Sequence, residues 1–126
     1  MKFAKYSFWT AAAYGILVIV PLYFSEQRLS LDYPPPMNHP EYYYSFITVT
    51  LVWQMLFVLV ALDPTRYRTI MIPCMLEKLA LVPTFAILWS RGSFPILWLP
   101  LLVIDLGFGV LFFVSYRKIG FTSVAP

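Results

Sequence analysis

Charge is what this 126-residue chain has least of: only 12% of its residues are Asp, Glu, Lys or Arg. Soluble domains carry roughly 25%. With 60% of residues hydrophobic, the composition excludes a disordered chain, a coiled coil and a water-soluble globule. The net charge of +3 is spread over nine basic residues without a patch, which excludes a nucleic-acid binder. A single cysteine, Cys74, permits no internal disulfide and no CxxC redox pair, so it reads as a small packing residue. A single histidine, His39, does not build a zinc site, and its loop neighbours Asp32 and Glu41 make a poor ligand set. No metal and no cofactor is expected.

What the chain has instead is long apolar runs. Four stand out, at about 6–24, 42–62, 69–89 and 94–116. Each approaches the ~20 residues that a helix needs to cross ~30 Å of hydrocarbon. The runs are continuously apolar and do not alternate, which argues for helices against the strands of a barrel. The expected fold is all-α, an integral-membrane up-and-down four-helix bundle forming a single domain over 1–126. The first run has Lys2 and Lys5 ahead of it but no small-x-small cleavage site after it, so it reads as an uncleaved span.

The basic residues imply an orientation. Lys2, Lys5, Arg66, Arg68, Arg117 and Lys118 fall at one end of such a stack, against Arg28 and Arg91 at the other. The positive-inside rule then puts both termini in the cytoplasm. Aromatic residues form two belts, Tyr6, Trp9, Tyr67 and Tyr116 on the inner side and Tyr23, Tyr42, Tyr43, Tyr44, Trp89 and Phe94 on the outer.

Two connections are short turns, Leu62-Asp63-Pro64-Thr65-Arg66 and Trp89-Ser90-Arg91-Gly92-Ser93. Such turns make helices two, three and four antiparallel neighbours. The outer loop, about 25–41, holds Pro34-Pro35-Pro36 and reads as a stiff extended segment across the outer mouth, or as a plain solvated spacer. Pro83 lies inside the third run, where it frees the carbonyl of Leu79. It either kinks the helix and opens a cavity beside Glu77 or makes a harmless bend. Pro100 is expected to do the same one turn into helix four. Ala11 with Gly15, and Gly107 with Gly109, permit close helix contact.

The candidate functional residues are polar groups inside the runs: Tyr14, Gln54, Glu77, Lys78 and Asp105. Counted at ~1.5 Å per residue from the inner end, their depths run from ~12 to ~16 Å. All therefore sit near the midplane. A central Asp, Lys or Arg costs roughly 2.5–3.5 kcal/mol to insert, so these groups must face inward and satisfy one another. Lys78 is expected to pair with Asp105 across helices three and four. Its neighbour Glu77, ~100° round the helix, is expected to turn toward Gln54 or Tyr14. Two carboxyls face one ammonium, so one carboxyl is expected to be neutral. Trp53 and Trp98 are candidate pocket-lining residues, with packing or interface anchoring as the alternative use. The polar group itself has two readings, glue between helices or a ligand, proton or substrate site.

The segments His39-Pro40-Glu41-Tyr42-Tyr43-Tyr44, Trp53-Gln54, Asp63-Pro64-x-Arg66-x-Arg68, Leu76-Glu77-Lys78 and Asp105 resemble a family of small four-helix bacterial inner-membrane proteins without assigned activity. The resemblance implies the four-helix architecture and a bacterial inner (cytoplasmic) membrane, and carries no activity. In architecture alone the chain is similar to sterol-isomerase-like and DoxX-like membrane proteins. The leading expectation is a non-catalytic protein that binds a lipophilic small molecule or lipid, or that serves a membrane protein partner or its own oligomer as an accessory subunit. The alternatives are proton or cation transport through the midplane carboxyls, and an enzyme acting on a lipid-soluble substrate with Glu77 or Asp105 as acid or base.

Overall fold

The computed structural model describes residues 2–36, 38–92 and 96–124, and these are almost entirely helical, with no strand among them. Helix α1 spans Lys2–Ile19 and tightens into a 3-10 turn over Val20–Phe24. Pro21 explains the change, because it cannot donate to the carbonyl four residues back. Helix α2 spans Glu26–Asp32, α3 Pro40–Leu62, α4 Met71–Leu79, α5 Leu81–Ser90 and α6 Leu99–Val124. Among the described residues four helices are long and apolar enough to cross a membrane: Lys2–Phe24, Pro40–Leu62, Arg68–Ser90 and Leu99–Gly120.

Side-chain pairs set the topology. Phe8 meets Phe57 of α3 near one end, and Tyr23 meets Thr48 near the other, so α1 and α3 run antiparallel. Phe8 with Phe112, and Tyr14 with Phe108, make α1 antiparallel to α6. Lys78 with Asp105, and Arg68 with Tyr116, make α4 antiparallel to α6. Neighbours around the bundle are therefore α3, α1, α6 and α4, in an up-and-down arrangement.

Several expectations need correction. Helices two and three were expected to pack as close neighbours; α3 and α4 do meet, with Lys78 Nζ 5.2 Å from the Phe57 ring, but α5 has no buried residue at all. The third run is one span, Arg68–Ser90, with a local interruption at Ala80, which keeps helical dihedrals (φ −67°, ψ −22°). Ala80 lies one residue past Leu79, whose carbonyl Pro83 leaves without its helical donor. Pro100 does not interrupt helix four, because α6 begins at Leu99 and the first turn tolerates proline. The outer loop is not uniformly extended, since it contains α2. Tyr44 Oη donates to Glu26 Oε2 at 2.7 Å and tethers that helix, while Tyr43 Oη donates to the Leu22 carbonyl at 2.5 Å. Phe94, expected to open the fourth run, lies outside the described residues.

The core fills the half of the bundle that holds the termini. Phe8, Phe57 and Phe112 are fully buried, with Phe8 stacked on Phe112 at 4.0 Å and Phe57 edge-on to Phe112 at 5.2 Å. Ala4, Ala11 and Ala12 keep α1 thin enough for that approach. At the same end the Arg68 guanidinium lies 3.8 Å over the Tyr116 ring, and its Nε donates to the Tyr116 carbonyl at 3.1 Å. A side chain at Gly120 would meet Arg68 Nη2 at 2.4 Å, so the clamp needs a glycine there.

Phe112→Ala is expected to destabilise the protein by about 3 kcal/mol, the usual cost of emptying an aromatic core position. Phe113→Ala, whose ring is 53% exposed, is expected to cost far less. Unfolding midpoints in detergent check this, and equal losses would show that the stack is not the core.

Candidate functional site

The polar residues of the runs come from four helices. Met71, Cys74 and Lys78 recur at three- and four-residue spacing and form the buried face of α4. That spacing carries Lys78 inward, to 4% exposure. Its Nζ donates to Asp105 Oδ1 of α6 at 3.1 Å, the pairing expected from the chain. Gly109, one turn further along α6, lets α4 come close: a Cβ there would meet Leu79 Cδ2 at 2.9 Å. Gly107 faces open space and has no such role.

Glu77 departs from expectation. It turns toward neither Gln54 nor Tyr14 as a bonding partner. Its Oε2 stands 3.7 Å from Lys78 Nζ and makes no hydrogen bond among the described residues. Lys78 is thus flanked by both carboxylates. The Phe57 and Phe108 rings add to this, with centroids 5.2 and 5.8 Å from Nζ. The sequence reading missed both rings. Their signal was spacing, because Phe57 follows Gln54, and Phe108 follows Asp105, by three residues on one helical face.

Gln54 on α3 is 1% exposed. Its Nε2 donates to the Thr50 carbonyl one turn back at 2.9 Å, which leaves Oε1 without a hydrogen-bond partner among the described residues. The amide lies over Gly15 of α1, where an added Cβ would fall 2.0 Å from Oε1. Gly15 was expected only to aid packing; it also makes room for this amide. Tyr14 packs its ring against Phe108 at 5.5 Å.

Tyr14, Gln54, Glu77, Lys78 and Asp105 all line one open cavity of about 250 Å³ in the half of the bundle away from the termini. Its other walls are mainly apolar, with Phe46 of α3, Leu81 and Phe85 of α5, and Leu101 of α6. Trp98 is on this wall, as expected. Trp53 is not: it packs against the aromatic core, and its Nε1 is buried without a hydrogen-bond partner among the described residues. The cavity lies beside α5, which has no buried residue. No His, Cys, Asp and Glu grouping that would hold a metal occurs among the described residues. The His39 Nδ1 contact with Glu41 Oε1 at 2.9 Å is an exposed pair in the loop. No family model, curated protein or solved structure matches the chain.

The arrangement is an apolar slot with charge and unused acceptors at its floor. Breaking the buried pair at one side leaves the other charge stranded. Lys78→Met and Asp105→Leu are each expected to cost about 3 kcal/mol. The double variant is expected to cost less than the sum by more than about 1 kcal/mol. A thermodynamic cycle in detergent measures the coupling, and additive losses would refute it.

Proposed function

We propose that this chain is a small multi-pass protein of the bacterial inner membrane, with both termini in the cytoplasm, that holds a lipophilic small molecule or lipid in the cavity between its helices without transforming it. Two features support the membrane setting. The outward faces of the helices carry large apolar side chains, among them Leu17, Val52, Met55, Val110 and Phe113, which would be costly in water. The exposed cations Lys2, Lys5, Arg66, Arg117 and Lys118 gather at the end that holds the termini. That end suits the anionic inner surface, which attracts basic residues by about 1 kcal/mol each.

The observation that carries the ligand reading is the cavity. At about 250 Å³ it lies just below the ~300 Å³ typical of small-molecule pockets, with apolar walls and a few converging polar groups. Its volume suits a head group and the first part of a chain, with the rest emerging past α5. A role as accessory subunit of a membrane complex is compatible with this reading.

One observation favours a second reading as an enzyme. Glu77 lines the cavity with Oε2 free of hydrogen bonds among the described residues, as an acid or base needs before its substrate arrives.

Native mass spectrometry of the protein purified in mild detergent is expected to show a retained lipophilic species. Leu81→Trp, which fills the cavity, is expected to lose it while keeping its helical content. Bare wild-type protein would overturn the ligand reading. A different retained molecule in Glu77→Gln would replace it with the enzymatic one.

A further inference from the structure

The floor of the cavity offers acceptors and withholds its cation. Gln54, 99% buried, has Oε1 without a hydrogen bond, and Glu77 has Oε2 without one and 3.7 Å from Lys78 Nζ, among the described residues; both residues line the same cavity. Among the described residues Lys78 is the only cation on this wall. It is 4% exposed, bound to Asp105 at 3.1 Å and flanked by Glu77 at 3.7 Å. Glu77, Asp105 and Lys78 sum to a formal charge of −1 when all are ionised. A buried acceptor left without a donor is costly, so an occupant that donates to these two oxygens gains what the free protein lacks. An anionic head group would meet a negative surround, with the Lys78 ammonium already bound to Asp105.

We infer that the cavity selects amphiphiles whose head group donates hydrogen bonds, a hydroxyl or a protonated amine on an apolar chain, and rejects those with a carboxylate. This rests on the reading of the cavity as a lipophilic-ligand site. Gln54 Oε1 receives the head group's donor, and Glu77 receives a second. The amine draws additional affinity from the Glu77 charge. Tyr14 and Trp98 flank the entering chain.

Three probes of one chain length test this: dodecylamine, dodecanol and dodecanoate, titrated into the protein in nanodiscs and followed by native mass spectrometry and calorimetry. The amine and the alcohol are expected to bind at least about tenfold more tightly than the carboxylate, the worth of one charge-assisted hydrogen bond. Glu77→Gln is expected to lower amine affinity about tenfold and alcohol affinity much less. Gln54→Leu is expected to weaken both; Gly15→Ala, which displaces the Gln54 amide but keeps it, gives the same result if the geometry is right. Carboxylate binding equal to or tighter than the amine would overturn the head-group assignment and leave the cavity reading standing. Saturable binding by none of the three would overturn the cavity reading itself.

Discussion

The ion pair between Lys78 and Asp105 is the constraint from which the rest of the structure follows. An ammonium with 4% exposure has to be matched by a carboxylate on the facing helix. The match fixes the rotation of α4 about its axis and its distance from α6. Gly109 permits that distance, because any larger residue would collide with Leu79. Once Lys78 is turned onto Asp105, Glu77 is set ~100° away. It therefore lines the cavity, with Oε2 3.7 Å from Lys78 Nζ and without a hydrogen bond among the described residues.

The cavity has a second cause, which is a missing backbone donor. Pro83 cannot serve the carbonyl of Leu79, and the helix is interrupted at Ala80. The ion pair holds the segment before the interruption. The segment after it has no buried residue, and its Leu81, Val82, Phe85 and Leu88 are only half-buried. Two demands thus meet within five residues: Lys78 pins α4 inward, and Pro83 lets α5 go its own way. The cavity floor lies at the junction because that is where the pinned and released segments meet.

Much of this was legible in the chain, and the reasons are physical. Long apolar runs have few alternatives to helices, so the four spans needed only length and composition. The level at which Gln54, Glu77, Lys78 and Asp105 lie followed from counting residues, since the rise of a helix is constant. The Lys78–Asp105 pair followed from the cost of leaving either alone. Other features were not legible, because they depend on rotation and tilt. Trp53 and Trp98 are equivalent as residue types, yet only Trp98 faces the cavity, and apolar runs without a polar face give little phase to decide such a choice. Pro83 pointed to a bend, but neither its size nor the gap beside it could be read without knowing that α5 has no buried residue. Helix α2 was hidden by the prolines that follow it.

The two halves of the bundle differ in their packing. The half with the termini is solid: Phe8, Phe57 and Phe112 fill it, and Arg68 clamps Tyr116 at its end. The opposite half is hollow, and its loop is tied back by Tyr43 and Tyr44. A ligand arriving through the basic end would have to displace the aromatic stack, with three fully buried rings to separate. On the proposed reading, arrival past α5 would displace no fully buried residue of that helix. In a bilayer such a route would favour molecules already dissolved among the lipid chains, while hydrogen bonding at the floor would act on the head group. Apolar walls with a few polar groups among them are what such a division would require.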